Sequence, residues 1–250
     1  MIVFGAPGVI PVDILAVGAH PDDLEICMGG TLARLAAAGR RIGLVDLTRG
    51  ESGSRGEPET RVAESRAAAE ALGVAFRVNL ELPDGDLVPT AAARAALVRV
   101  IRQTMPAIVF SHHTLDPHPD HAGAYALVRS ACHHAGLAKL EPDLPPHRPK
   151  YFFTFAQPHR LRPTFLVDVS EFWEAKLAAI RCHHSQVSPR QPDEPSTYLG
   201  QPDFLDVVGA HCRSMGAMVG ARFAEGFHSE GYLLVDDPLA AFGRKQGRLL

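Results

Sequence analysis

The chain has 250 residues, of which 46% are hydrophobic and 21% charged, a composition typical of a globular protein with a substantial core. Its 25 basic and 28 acidic side chains leave a net charge of −3, which gives no electrostatic reason to expect a nucleic acid or a membrane surface as partner. The four cysteines show no metal or disulfide spacing, which fits reduced thiols in the cytoplasm. We expect a single domain over residues 1–250, with residues 1–11 as a candidate N-terminal extension.

Apolar runs at Val12–Gly18 and Arg41–Thr48 predict two strands, and the segment between them has apolar residues at helical spacing. The predicted elements that follow are a helix at Glu59–Leu72, a strand at Ala75–Leu80, a turn at Pro83–Gly85, a helix capped by Thr90, strands at Ala107–Ser111, Tyr151–Phe155 and Thr164–Val169, a helix at Glu171–Arg181 and a last helix at about Phe204–Ala224. This alternation predicts an α/β fold, a Rossmann-like three-layer sandwich with a mostly parallel sheet. Reactive groups should lie at the carboxyl ends of its strands.

Two motifs of imidazole and carboxylate follow predicted strands. His20-Pro21-Asp22-Asp23 comes after the first strand, and His118-Pro119-Asp120-His121 comes after the strand that ends at Ser111. Catalytic zinc has three such protein ligands and an open position for water. His20, Asp23 and His121 would supply the three ligands of a Zn²⁺ ion.

The remaining residues of the two motifs are candidates for catalysis. Asp22 should point away from the ion and could act as general base, and His118, hydrogen-bonded to Asp120, could stabilise an oxyanion as imidazolium. The structural alternative is that Asp22 or Asp23 only caps the following helix.

A polar loop after the second strand leads into the helix that bears Arg61. Glu51 could accept hydrogen bonds from sugar hydroxyls, and Arg55 or Arg61 could bind a carboxylate through its two-pronged guanidinium. The alternative is a solvated loop with an ion pair on the helix face, between Arg61 and Glu64.

At these residues the sequence resembles the PIG-L/LmbE-like deacetylases, which carry an Ala-His-Pro-Asp-Asp turn and a later His-Pro-Asp-His turn. The resemblance runs from about Val12 to at least Ala135. It implies zinc on His20, Asp23 and His121, with Asp22 as general base. It also implies an oxyanion-stabilising role for His118 with Asp120.

The resemblance further implies that Glu51 and Arg61 bind an amino-sugar substrate, and that the chain forms a homo-oligomer. Within the family, the Asp-Leu-Thr-Arg-Gly-Glu stretch and the late Phe-Ala-Glu-Gly-Phe stretch look most like the deacetylases of bacillithiol biosynthesis, which act on N-acetyl-α-D-glucosaminyl L-malate. The leading hypothesis is hydrolytic removal of the acetyl group from that substrate. The alternatives are a deacetylase or amidase for another N-acetylglucosaminide or a thiol conjugate, and a non-catalytic sugar-binding protein.

Overall fold

The predicted alternation of strands and helices is present in the computed structural model, which describes residues 2–5, 10–141, 143–155, 162–190 and 192–242. The strands are β1 Ile2–Gly5, β2 Ile14–Gly18, β3 Ile42–Thr48, β4 Phe76–Leu82, β5 Ile108–His112, β6 Tyr151–Phe155, β7 Phe165–Asp168 and β8 Ala224–Ser229. The helices are α1 Asp23–Ala37, α2 Pro58–Leu72, α3 Ala91–Thr104, α4 Pro119–Ala135, α5 Trp173–Cys182, α6 His184–Val187, α7 Phe204–Ala217 and α8 Pro238–Phe242. None of these helices is long and apolar enough to cross a membrane.

The strands form one sheet in the order β1-β4-β3-β2-β5-β6-β8-β7. Its five central strands, β4, β3, β2, β5 and β6, are parallel, whereas β1 pairs antiparallel with β4 and β8 pairs antiparallel with β6 and β7. Every residue of β2 and β3 is buried, as expected for parallel strands covered on both faces. The α/β class and the mostly parallel sheet are therefore confirmed.

Helices cover both faces of the sheet. Leu15 packs in a core with α3 and α4, and its neighbour Ala16 packs on the other face with α1, α2 and α5, because successive side chains of a strand point to opposite faces. The three-layer arrangement is the predicted one. Part of the predicted N-terminal extension, Ile2–Gly5, is the edge strand β1, while residues 1 and 6–9 lie outside the described residues.

The predicted last helix ends earlier than expected. Helix α7 stops at Ala217, and the strand β8 begins at Ala224. Gly220 adopts a left-handed φ of 72°, which glycine tolerates and which lets the chain turn back into the sheet. Since β8 contains one aromatic and no β-branched residue, its sequence carries only a weak strand signal.

A buried ion network fastens the start of α1 to the sheet. Arg77 on β4 has no exposed surface, and its Nε and Nη2 donate to the two carboxylate oxygens of Asp46 at 2.7 and 2.8 Å. Its Nη1 donates to Oε1 of Glu25 at 2.5 Å. Burial raises the pKa of Glu25, but Arg77 and His183 outweigh burial and lower the pKa to about 2. The network therefore holds the first turn of α1 beside β3 and β4.

Replacing Arg77 with Met should lower the free energy of unfolding by about 3–5 kcal/mol, because it leaves two buried carboxylates without their cation. Urea denaturation followed by circular dichroism measures this loss. The matched control is Arg99→Met, which removes an exposed guanidinium that pairs with Glu141 and Asp143 and should leave the unfolding midpoint nearly unchanged. Equal midpoints for the two variants would contradict a structural role for the network.

Candidate metal centre and active site

The two motifs predicted to share a metal lie side by side at the carboxyl edge of the sheet. The His20–Asp23 turn joins β2 to α1, and the His118–His121 turn opens α4 after β5. Since β2 and β5 are parallel neighbours, their carboxyl ends meet. Oδ1 of Asp23 lies 3.2 Å from Nε2 of His121, and Oδ2 of Asp23 lies 3.4 Å from Nδ1 of His20. Asp23 thus stands between the two imidazoles.

Histidines and carboxylates around Asp23 form candidate metal-binding groups. In the part of the chain that the structure describes, three overlapping groups bring one ligand atom per residue within 4.8 Å of the others: His20-His118-His121, Asp23-His112-His121 and His20-Asp84-Asp120. The predicted ligand set draws its members from these groups without being one of them. Its two nitrogens and one oxygen are donors that suit Zn²⁺.

Each predicted histidine ligand has a carboxylate on the ring nitrogen that points away from the shared Asp23. Nδ1 of His121 lies 2.9 Å from Oδ1 of Asp116. Nε2 of His20 lies 3.1 Å from Oδ1 of Asp84 and is also in contact with a second carboxylate. Metal-bound histidines commonly carry such a carboxylate, which fixes the tautomer and orients the ring. The contacts therefore fit a metal held through Nδ1 of His20 and Nε2 of His121.

Asp84 and Asp116 were not predicted as site residues. Asp84 lies in the predicted Pro83–Gly85 turn, which follows β4 at the same edge of the sheet. Asp116 lies between the end of β5 and the second motif. Because both are acidic residues just after parallel strands, the rule that located the two motifs also applied to them.

Asp120 does not hold His118 in the expected way. Its carboxylate accepts a hydrogen bond from the backbone N–H of Gly85 at 2.8 Å and lies 3.2 Å from Nε2 of His20. His118 accepts, at Nδ1, a hydrogen bond from the backbone N–H of Asp120 at 3.2 Å, which leaves the ring proton on Nε2. Burial and the neighbouring histidines lower the pKa of His118. The expected hydrogen bond from His118 to the Asp120 carboxylate is not formed, and these contacts favour a neutral ring over the expected imidazolium.

Asp22 is buried at the N-cap position of α1 but makes no side-chain cap hydrogen bond, so its carboxylate does not have the capping role of the structural alternative. Its φ of 128° lies where residues other than glycine are strained. Nη2 of Arg61 donates to its Oδ2 at 3.1 Å. Burial raises the pKa of Asp22 to about 6, although the charge of Arg61 opposes that rise. A carboxylate with this pKa is suited to general base catalysis near neutral pH.

His112, at the end of β5, is a buried site residue that was not predicted. Its Nε2 accepts a hydrogen bond from the backbone N–H of Ala19 at 3.0 Å, and it also lies 3.1 Å from Oδ2 of Asp23. Burial and the charge of His121 lower the pKa of His112 to about 4, so the ring is neutral. Because its acceptor nitrogen is occupied by Ala19, His112 is less suited to bind a metal than His20.

The site opens into a cavity of about 640 Å³, a size that suits a small-molecule ligand. Its lining includes the metal-site side chains together with Asp22 and Arg61. The lining also includes the largely apolar side chains of Ile26, Tyr198, Leu199, Phe204, Val207 and Val208. The cavity therefore combines a polar reaction centre with an apolar wall.

Glu51 and Arg55, two of the predicted substrate-binding residues, lie outside this lining. Glu51 is exposed, and its Oε1 accepts a hydrogen bond from the backbone N–H of Asp84 at 3.2 Å. Arg55 is buried, donates to the carbonyl of Gln186 at 3.2 Å and forms an ion pair with Glu194 at 2.8 Å. Both side chains thus brace segments beside the cavity, and their contact with a substrate stays a prediction.

Arg61, the third predicted substrate-binding residue, lines the cavity but is turned inward. Nη1 and Nη2 each donate to a backbone carbonyl at 2.8 Å, those of Gly50 and Pro21, and Nη2 also contacts Asp22. The alternative ion pair with Glu64 is not formed, since the Glu64 carboxylate accepts hydrogen bonds from the backbone N–H and the hydroxyl of Ser185 in α6. In this structure Arg61 positions the candidate base.

Comparison with known proteins assigns the chain to a family. Residues 15–132 match the family model of GlcNAc-PI de-N-acetylase, PIG-L. The diacetylchitobiose deacetylase of Thermococcus kodakarensis is 32% identical over 85% of this chain and 81% of its own length. The chain belongs to the PIG-L family. It is accordingly an enzyme of the N-deacetylase type, a hydrolase of N-acetyl amide bonds.

Further relatives support this assignment. The 1D-myo-inositol 2-acetamido-2-deoxy-alpha-D-glucopyranoside deacetylase of Actinosynnema mirum is 31% identical over 71% of this chain and 82% of its own length. The crystal structure of a conserved protein from Thermus thermophilus is 38% identical, with a TM-score of 0.81 over 90% of this chain and 97% of that one. The relatives support deacetylase activity on substrates of the N-acetylglucosamine type.

One relative in the same identity range has a different activity. The 4-oxalmesaconate hydratase of Pseudomonas putida is 32% identical over 69% of this chain and 73% of its own length. The shared fold therefore hosts more than one reaction, and the substrate has to be argued from the residues of the site.

The predicted ligand histidines should release protons when zinc binds. Burial lowers the pKa of His20 and His121, but Asp23 with Asp84 raises it to about 11 for His20, and Asp23 with Asp116 raises it to about 9 for His121. Both rings are therefore protonated at pH 7 in the metal-free chain, whereas a metal ligand must be deprotonated. We expect about two protons released per zinc at pH 7 and an affinity that increases with pH, more steeply below about pH 9 than above it.

Isothermal titration in buffers of different ionisation enthalpy measures this release. His118→Ala is the control, because His118 is outside the predicted ligand set and its removal should change neither the zinc affinity nor the proton count. A large loss of affinity in that variant would favour the His20-His118-His121 group instead. Zinc affinity that is constant between pH 6 and pH 9 would contradict the predicted ligands.

Proposed function

We propose that the chain is a zinc-dependent deacetylase of an N-acetylglucosaminide. The observation that carries this proposal is the arrangement of Asp22, a buried carboxylate with a pKa of about 6, next to two carboxylate-oriented histidines in the lining of one cavity. Metal-assisted amide hydrolysis uses such a base beside the metal site. The family membership and the deacetylase relatives support the same reaction.

The residues have separate roles in this reaction. His20, Asp23 and His121 would hold the zinc ion, which when bound supplies Lewis acidity to the acetamide carbonyl and to the attacking water. Asp22 accepts the proton of that water and then donates it to the leaving amine, so acetate and a free amino sugar are the products. Arg61 holds the Asp22 carboxylate in place through the contact at 3.1 Å.

His118 has a role that its tautomer supports. Because its Nδ1 accepts the N–H of Asp120, its Nε2 carries the proton, and the side chain lines the cavity. A neutral imidazole of this kind can donate a hydrogen bond to the oxyanion that forms at the acetyl carbon. Asp120 acts on His20 in this scheme and positions the metal ligand.

Asp22→Asn should keep the zinc content and lower kcat by a factor of about 10²–10⁴, because the amide cannot accept the proton. In the native enzyme, kcat/KM should fall as the pH decreases below about 6, since the base is then protonated. The control is Asp206→Asn, an exposed carboxylate of α7 outside this cavity, which should retain full activity. Full turnover by the Asp22 variant would reject the proposed base.

The narrower proposal is that the substrate is N-acetyl-α-D-glucosaminyl L-malate, and sequence resemblance supports it. Arg61 is the arginine that lines the cavity in the described chain, and its guanidinium already binds Asp22 and two backbone carbonyls. Recognition of malate by Arg61 therefore requires one of these donors to be shared with the substrate. A neutral second sugar, as in diacetylchitobiose, would need no such donor.

Acetate release from N-acetylglucosaminyl-malate, diacetylchitobiose and free N-acetylglucosamine distinguishes these substrates. If a guanidinium binds the malate, kcat/KM should be about 10- to 100-fold higher with the carboxylates than without them, as expected for a charge-assisted hydrogen bond. Equal rates for all three would reject malate while leaving deacetylation intact. No release from any of them, with zinc bound, would reject the proposed function.

A further inference from the structure

Helix α1 is interrupted one turn after the metal ligand that it carries. Met28 has φ −143° and ψ 17°, which is not helical, so the short segment Asp23–Cys27 is separated from the rest of the helix. Gly30 lies just after the break, where a Cβ atom would approach Cβ of Val169 to 2.7 Å. The metal turn therefore sits on a short helical piece whose end is not continued by regular hydrogen bonds.

A buried ion pair occupies the break. In a continuous helix the N–H of Gly30 would bind the carbonyl of Ile26. Here Gly30 donates to Oε1 of Glu225 at 3.0 Å, and Thr31 donates to Oε2 at 2.7 Å. Nζ of Lys176 donates to the carbonyl of Ile26 at 2.7 Å and to Oε1 of Glu225 at 2.5 Å. The two charged groups thus take the places of the missing backbone partners.

The polarity of the pair matches the two new helix ends. The carboxylate of Glu225 binds the N–H groups that begin the second piece, and the ammonium of Lys176 binds the carbonyl that ends the first piece. Anions stabilise helix N-termini and cations stabilise helix C-termini. The reverse arrangement would place like partial charges against each other, so the pair stabilises the two helix ends only in this orientation.

Both side chains are withdrawn from solvent. Lys176 is 0% exposed and Glu225 is 2% exposed. A buried ion pair is seldom more stabilising than well-packed apolar residues, because both charges lose their hydration. Burial lowers the pKa of Lys176, but Glu225 outweighs burial and raises it, which keeps the amine charged. Stability alone is therefore a weak reason for this pair, whereas positioning the interrupted helix requires it.

We propose that Lys176 and Glu225 are positioning residues that fix the metal turn from outside the site. Lys176 on α5 and Glu225 on β8 bind the two sides of the helix break. They thereby fix the position of the segment that carries Asp22 and Asp23. Ile26 also lines the cavity, so its displacement would alter the cavity as well. The identity of Asp23 as a ligand rests on the proposed function, whereas the contact of the pair with the helix break does not.

Three variants test this positioning role in the full-length protein. Lys176→Met removes the donor to Ile26. Glu225→Asp keeps the charge but is one methylene too short to reach both N–H groups. The charge-reversal variant Lys176→Glu/Glu225→Lys keeps an ion pair with reversed polarity. Arg102→Met is the matched control, because it removes a buried cation that binds backbone carbonyls such as that of Ala135 on the opposite face of the sheet.

Two readouts do not depend on activity. Zinc affinity is measured by competition with a chelator at a temperature where each variant is folded, and amide hydrogen exchange of the peptide 24–35 is measured by mass spectrometry without metal. We expect a 10- to 100-fold weaker zinc affinity, as is common for residues that support metal ligands, and faster exchange in Lys176→Met and Glu225→Asp. The charge-reversal variant should recover neither the native zinc affinity nor the native rate of hydrogen exchange. Arg102→Met should leave both at the native value.

A native zinc affinity and a native rate of hydrogen exchange in both single variants would overturn the proposal. Recovery of both properties in the charge-reversal variant would also overturn it, because the pair would then serve only to balance charge. If the native enzyme releases no acetate from any N-acetylglucosaminide while the variants still lose zinc affinity and protection, the proposed function fails and the positioning role stands. Activity assays add a further check: we expect kcat to fall more than KM rises.

Discussion

The contact of the Asp23 carboxylate with two imidazoles is the interaction on which the site depends. It joins the turn after β2 to the turn after β5 through distances of 3.4 Å to His20 and 3.2 Å to His121. Further carboxylates surround the two rings, so the negative charge of the site has to be balanced by protons on the histidines or by a bound cation. We therefore expect metal binding and protonation to compete at this site.

Helix α1 receives support from both ends of its first turn. Glu25 is held by Arg77 from the sheet, and the break at Met28 is filled by Lys176 and Glu225. Charged groups this deep in a protein are costly unless each polar atom has a partner, so the sequence has to supply every partner from a fixed position. The result is a turn whose backbone is fixed from two sides, which suits a site where Asp22 must keep a strained conformation.

The inward direction of the arginines changes how substrate recognition is understood. Arg55 and Arg61 were expected to bind a carboxylate of the ligand, but their guanidinium groups satisfy backbone carbonyls and protein carboxylates instead. Tyr198, which is 59% exposed and packs edge to face against the buried Phe204, is a more accessible side chain of the cavity lining. The apolar side chains of the cavity are therefore candidates for contact with a bound ligand.

The sequence alone determined the parallel centre of the sheet and the location of the two motifs at its edge. Apolar runs mark β2 and β3 because parallel strands are buried on both faces, and the metal motifs follow strands whose carboxyl ends must meet. Only the tertiary structure decided which polar partners meet: that Asp120 contacts His20 at a sequence separation of 100, and that Lys176 finds Glu225 at a separation of 49. Hydrophobic periodicity specifies which face of an element is buried. The partner of a buried charge is specified only by how distant segments pack, so the contacts of Arg55, Arg61 and Asp120 could be assigned only from the fold. Strand β8 also required the fold, because its sequence is not typical of a strand.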